Sequence, residues 1–155
     1  MAISTINDIH ALATQMSMYA TCDRLHVGAV LFDDLGCVLG KGCNKSPEND
    51  VSADVQCDTH GHLVNDSGGC IRTIHAEMDA LVDAIRNHRY CYSSNLYTTH
   101  MPCYYCSKTL IHLNIRLVIY EHDYVSKSSY GSGRNLLEKY KVKVISLKEW
   151  IKEYE

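Results

Sequence analysis

From position 27 onward, apolar runs of four to six residues alternate with amphipathic segments, and few folds accommodate that order. Val27-Gly28-Ala29-Val30-Leu31-Phe32 and Cys37-Val38-Leu39-Gly40-Lys41-Gly42 flank Asp33-Asp34-Leu35-Gly36, which reads as a hairpin of two strands. Residues 75–88 read as a helix whose apolar face carries Ala76, Met78, Ala80, Leu81, Ala84 and Ile85. A strand at 96–99, a helix over 103–114 and a strand at 116–120 follow. A polar loop over 121–132, a helix near 133–140, a strand at 142–145 and a helix around 147–154 complete the chain. Ahead of the hairpin, Ile6, Ile9, Ala13, Met16 and Ala20 recur at spacings of three and four, predicting a first helix over 5–20 with Ser4 as its N-cap. The expected fold is α/β: one sheet of about five strands with helices on both faces, in a single domain over 1–155. Only residues 44–72 resist this reading. A stretch that long without periodicity is uncommon in a compact domain unless it is functional or tied down.

Composition narrows the class. No apolar run approaches the ~20 residues of a membrane span, and the first residues lack a basic patch followed by an apolar stretch. Eight cysteines without a secretory signal read as reduced thiols, some of them metal ligands, in a cytoplasmic protein. Residues 1–110 carry 7 basic and 12 acidic side chains, residues 111–155 carry 8 and 6, and the formal net charge is −3. A nonspecific grip on nucleic acid would want a clear positive excess, so no nucleic-acid or membrane partner is expected.

The strongest chemical signal is His75-Ala76-Glu77 together with Pro102-Cys103-Tyr104-Tyr105-Cys106. Two cysteines three apart on the first turn of a helix share one face, and the helix dipole favours their thiolates. With His75 they make three protein ligands to zinc, leaving one tetrahedral position for water, as a catalytic site requires. Glu77 is then a carboxylate beside the ion that moves protons. Taken singly, each part has a plainer reading: Cys-x-x-Cys as a redox pair or half of a zinc ribbon, His-x-Glu as coincidence. A ribbon would want a second Cys-x-x-Cys, and the chain has none. His-x-Glu followed by Pro-Cys-x-x-Cys is the signature of zinc deaminases.

The chain resembles the deoxycytidylate (dCMP) deaminases of the zinc-dependent cytidine deaminase superfamily over most of its length. Thr21-Cys22-Asp23-Arg24-Leu25-His26-Val27-Gly28-Ala29-Val30 is similar to that family's entry into its first strand. Gly42-Cys43-Asn44-Lys45-Ser46-Pro47 resembles its Gly-Tyr-Asn-Gly-Ser/Thr-Pro loop, and Cys70-Ile71-Arg72-Thr73-Ile74-His75-Ala76-Glu77 its catalytic stretch. Tyr120-Glu121-His122-Asp123-Tyr124 resembles its base-stacking loop. Cys43, Lys45 and Asp79 depart from the family's usual Tyr, Gly and Asn.

The resemblance implies a three-layer α/β/α cytidine deaminase-like fold and hydrolysis of dCMP to dUMP and ammonia, feeding thymidylate synthesis. It implies Ala76 N–H as donor to the pyrimidine O2, Asn44 as partner of the sugar 3′-hydroxyl and Tyr124 as the stacking residue. Asn44 is otherwise a turn residue and Tyr124 an ordinary surface or core residue. Arg24 is the first choice for the phosphate, ahead of Arg72 and Lys45, with a surface salt bridge as its alternative. The resemblance further implies a homo-oligomer, commonly a hexamer, activated by dCTP and inhibited by dTTP with magnesium on the triphosphate. Gly42, Cys43, Asn44, Lys45 and Arg86 are the allosteric candidates.

Family members can also carry a second zinc. Cys22, Cys57, His62 and Cys70 would make a closed, structural set that ties down the 44–72 stretch, with His60 competing for the nitrogen position. Buried free thiols and a surface histidine are the alternative. Cys37 and Cys91 are read as packing residues or as chance placements. Two rival functions remain: a tRNA-adenosine or polynucleotide cytidine deaminase, disfavoured by the acidic first 110 residues, and a non-catalytic zinc module, which would not need Glu77.

Overall fold

The structure, a computed structural model, describes residues 3–47, 57, 61–66, 68–124 and 131–154. Five strands form one mixed sheet: β1 (Gly28–Phe32), β2 (Val38–Cys43), β3 (Asn95–His100), β4 (Leu117–His122) and β5 (Lys143–Ser146), in the spatial order β2-β1-β3-β4-β5. β1 is antiparallel to β2 and β3, whereas β3, β4 and β5 run parallel. Among the described residues there are five helices: α1 (Ile3–Ser17), α2 (Ala76–Arg86), α3 (Tyr104–His112), α4 (Gly133–Lys139) and α5 (Leu147–Tyr154). None is long and apolar enough to cross a membrane.

Strand alternation divides the core into two layers. Val30, Phe32, Tyr97, Ile119 and Ile145 face α1 and α5, packing with Ile6, Ile9, Ala13 and Trp150. Ala29, Leu31, Leu96 and Val118 face the other way, against Ala76, Ala80, Ala84, Leu110 and Leu137 of α2, α3 and α4. This is the three-layer α/β/α arrangement expected.

Small residues set how closely the helices sit. Ala76, Ala80 and Ala84, at intervals of four, form a fully buried stripe on α2. Opposite them, a Cβ at Gly42 would lie 2.3 Å from Ala80 N and one at Gly40 2.2 Å from Ala80 O, so α2 rests directly on the β2 backbone. That contact fixes where Glu77 emerges. On the other face, a Cβ at Gly28 would fall 1.8 Å from Ala13 O. Gly28→Ala therefore forces α1 off the sheet. The expected loss of stability is about 3 kcal/mol, the upper end of overpacking costs, read from urea unfolding midpoints.

The expected extent of the first helix is corrected. α1 begins at Ile3, so Ser4 lies inside the helix and is not its N-cap, and α1 ends at Ser17, three residues early. Tight turns at Tyr19 N–H to Met16 O (3.0 Å) and Ala20 N–H to Ser17 O (3.2 Å) redirect the chain, so that Thr21 N–H reaches Asn44 O at 3.1 Å. Within the 44–72 stretch, the described residues around Cys70 are held by backbone contacts. Val64 bridges Cys70, Ile71 N–H donates to Leu63 O at 2.7 Å and Asn65 N–H to Gly69 O at 3.0 Å, making a small hairpin closed by Gly68 at φ +79°.

Candidate active site

The parallel strands β3 and β4 end side by side, and ligands of open α/β sheets bind beyond such carboxyl ends. Beyond β3 the chain runs Met101-Pro102-Cys103, held by Met101 N–H donating to His122 O at 2.9 Å. Cys103 is the N-cap of α3, and His75 the N-cap of α2. Histidine is an unusual residue at that position. Its side chain makes no capping hydrogen bond and its ring turns instead to the cysteines, with Nδ1 3.4 Å from Cys103 Sγ and 3.4 Å from Cys106 Sγ. Cys106 N–H points at Cys103 Sγ at 3.5 Å. That hydrogen-bond environment, with Cys106 Sγ as its largest contributor, draws the Cys103 thiol down to about 4, while the same pairing and burial push Cys106 up. Two helix N-termini thus converge on one set of soft donors, where anionic sulfur is favoured.

His75, Cys103 and Cys106 offer ligand atoms that all lie within 4.8 Å of one another. Tetrahedral zinc, about 2.3 Å from sulfur and about 2.0 Å from nitrogen, sets a sulfur and a nitrogen about 3.5 Å apart. The observed nitrogen–sulfur separations fit. Glu77, one residue into α2, is 4% exposed. Burial pushes its carboxyl above the ordinary range, against the pull of His75 and of its own N–H. Ala76, fully buried, is the first residue of α2, where an N–H has no intrahelical acceptor.

The second set comes together as well: the ligand atoms of Cys22, Cys57, His62 and Cys70 lie within 4.8 Å of one another. Cys22 Sγ is 3.7 Å from His62 Nδ1, and Cys57 Sγ is 3.9 Å from Cys70 Sγ. Tetrahedral zinc would place two sulfurs about 3.8 Å apart, so this set of four fits a closed site. His60 lies outside the described residues.

The other candidates disperse. Asn44 is buried and spends its amide on the main chain, accepting from Val27 N–H at 2.7 Å and donating to Leu25 O at 2.7 Å. Arg24 is exposed in a turn beside Cys22, and Arg72 Nε donates to Gly61 O at 3.1 Å. Tyr124 is 44% exposed, just past β4. Lys45 and Arg86 both line a cleft of about 110 Å³ on the flank of α2, with Ser46, Pro47, Ile74, Asp79 and Val82. Gly42 and Cys43 lie against α2 within the sheet. Cys37 is exposed and Cys91 is buried, so only Cys91 serves packing.

What sequence reasoning missed is that the three departures from the family pattern touch one another. Asp79 receives Cys43 N–H on Oδ2 at 3.0 Å and the Lys45 ammonium near Oδ1 at 3.4 Å. Side chains at 43, 45 and 79 carry no shared periodicity, so no local signal could have joined them. Burial, with Asp79 adding to it, pushes the Cys43 thiol up to about 11. At pH 8 only ~0.1% of it is then thiolate, the reactive form. Iodoacetamide at pH 8 is expected to label exposed Cys37 and spare Cys43 in the folded protein, with both labelled in urea, as read by peptide mass spectrometry.

Comparison with known proteins places this geometry. The family model described as "Cytidine and deoxycytidylate deaminase zinc-binding region" matches residues 4–122. ComE operon protein 2 of Bacillus subtilis (strain 168) is 36% identical over 109 residues, 70% of this chain and 54% of that protein. The tRNA-specific adenosine deaminase of Haemophilus influenzae is 30% identical over 122 residues, 77% of this chain and 58% of that protein. The chain thus spans little more than half the length of these curated relatives. Among solved structures, dCMP deaminase from the cyanophage S-TIM5 in complex with dCMP and dUMP aligns at a TM-score of 0.75 and 24% identity, over 95% of this chain and 99% of that one. With the match covering His75, Glu77, Cys103 and Cys106, the chain belongs to the cytidine and deoxycytidylate deaminase family.

Proposed function

We propose that this chain, as one deaminase domain, is a zinc-dependent dCMP deaminase that converts dCMP and water to dUMP and ammonia. The observation that carries the reading is the convergence of His75, Cys103 and Cys106 at two helix N-termini, with buried Glu77 one residue inside. His75, Cys103 and Cys106 would hold the ion, and zinc so held would supply an activated water by lowering its pKa to about 7. The chain's own residues do the rest. Glu77 takes a proton from the attacking water and delivers it to N3 as C4 accepts the oxygen. It then carries a second proton to the exocyclic nitrogen, the C4–N bond breaks, and ammonia leaves. Glu77 is uncharged and charged in turn through this cycle. In this reading Ala76 N–H holds the pyrimidine O2, Tyr124 stacks on the ring and Arg24 meets the phosphate. Asn44 takes the 3′-hydroxyl with the amide hydrogen and the lone pair it does not spend on Leu25 and Val27.

The second set, Cys22, Cys57, His62 and Cys70, is read as a structural zinc site. All eight cysteines are unbridged, as a reducing, cytoplasmic setting would keep them. Regulation by dCTP and dTTP, with magnesium, is placed at the Lys45–Arg86 cleft. At about 110 Å³ in one chain it is smaller than the ~300 Å³ at which ligand pockets begin, so the regulatory reading needs a second subunit to complete it, in keeping with a homo-oligomer such as a hexamer.

The Haemophilus relative favours a second reading, deamination of adenosine in tRNA. Against it stand 12 acidic and 7 basic side chains in residues 1–110. Ammonia release from dCMP, deoxycytidine and a tRNA anticodon stem-loop decides between them, repeated for dCMP with dCTP or dTTP plus magnesium. The proposal expects dCMP to be the best substrate. Turnover of the stem-loop with none of dCMP would overturn it.

A further inference from the structure

His62 faces two ways. Its Nδ1 lies 3.7 Å from Cys22 Sγ, and its Nε2 lies 3.1 Å from Asp23 Oδ1. A neutral imidazole has one N–H and one lone pair, and a carboxylate at one nitrogen fixes the proton there. With Asp23 Oδ1 beside it, Nε2 is the nitrogen that keeps the proton, which leaves the Nδ1 lone pair on the side of the thiols. Cys22 and Asp23 are consecutive, so one short turn supplies both a sulfur and the acid that orients the imidazole. The imidazole arrives from 40 residues further along the chain. We propose that Asp23 is a positioning residue for a metal at the Cys22–Cys57–His62–Cys70 site, setting His62 as its Nδ1 ligand. The inference rests on the reading that this set of four holds zinc.

A carboxylate behind a ligating histidine fixes the tautomer, orients the ring and raises the basicity of the coordinating nitrogen, and its loss typically costs 10–100-fold in metal affinity. The Asp23 side chain is 57% exposed, so its pairing with His62 contributes little to the fold by itself. Its effect belongs in metal affinity.

The test compares the full chain with Asp23→Ala, Asp23→Glu, His62→Ala and Cys57→Ser. Zinc is counted after gel filtration, and its affinity is measured by competition with a chromogenic chelator. Cobalt is titrated in parallel, its visible bands reporting sulfur and nitrogen ligation. Two zincs are expected in the parent chain and one in Cys57→Ser. Asp23→Ala is expected to weaken one of the two by about 10–100-fold and to shift the cobalt bands, with Asp23→Glu recovering part of the loss. If Cys57→Ser removes one zinc but Asp23→Ala leaves both affinities within twofold of the parent, the role of Asp23 is refuted and the structural site stands. If the parent binds a single zinc that Cys57→Ser does not touch, the structural site and this inference fall together. If His62→Ala retains the second zinc at full affinity, histidine 62 is not the ligand and the inference fails on that ground.

Discussion

Glu77→Gln is expected to lower dCMP turnover by about 10²–10⁴-fold while leaving the zinc content unchanged. The substitution conserves size and hydrogen-bonding shape, and Glu77 is not among the donors of either metal set. It removes one property, the ability to gain and lose a proton at the carboxyl. The fall should therefore appear in kcat, with KM for dCMP changed far less, because the amide still occupies the same buried position. Steady-state ammonia release beside zinc analysis of the same sample reads both. A Glu77→Gln protein that keeps its zinc and turns over dCMP normally would show that protons travel by another route.

The second large effect concerns stability. Cys57→Ser should remove one of two zincs and lower the melting temperature by about 10 °C. Structural zinc contributes about 10–16 kcal/mol in small zinc-finger peptides, and losing only ~3 kcal/mol of that shifts a chain of this size by about 10 °C. The loss should also reach the active site through a continuous set of contacts. Cys57 N–H donates to Thr21 O at 2.8 Å, and Thr21 Oγ1 accepts from Ser46 N–H at 2.8 Å. Lys45 bridges Ile74, whose N–H donates to Lys45 O at 2.9 Å, and His75 follows directly. A several-fold fall in kcat should accompany the lower melting temperature in differential scanning calorimetry. An unchanged zinc count and melting temperature would remove the structural metal from the account.

The cysteine pair and the helix that bears Glu77 were legible because local rules carry them. Cys-x-x-Cys at a helix start needs no long-range information, and the His75-Ala76-Glu77 helix announces itself through Ala76, Ala80 and Ala84. The order of short apolar runs and amphipathic segments likewise predicted a sheet with helices on both faces. What stayed hidden depends on contacts between distant segments. Gly28 and Gly42 read locally as breaks in apolar runs, whereas in the fold they are the points where α1 and α2 touch the sheet backbone. The hairpin around Cys70 has no apolar periodicity, since it is held by turn hydrogen bonds near Asn65. Asp79, with two partners 34 and 36 residues away, and Asp23, with a partner far along the chain, look like ordinary solvated acids until the chain is folded.

The central claim is that this chain deaminates dCMP with a zinc that His75, Cys103 and Cys106 would hold. The most direct measurement strips the protein of metal with a chelator, returns zinc stepwise, and follows ammonia release from dCMP against bound zinc in the parent and in Cys106→Ser. The account predicts no turnover without metal, recovery as zinc returns, dUMP and ammonia formed in equal amounts, and no recovery in Cys106→Ser. Undiminished dCMP turnover by the metal-free chain, or none by the chain carrying its full complement of zinc, would contradict it.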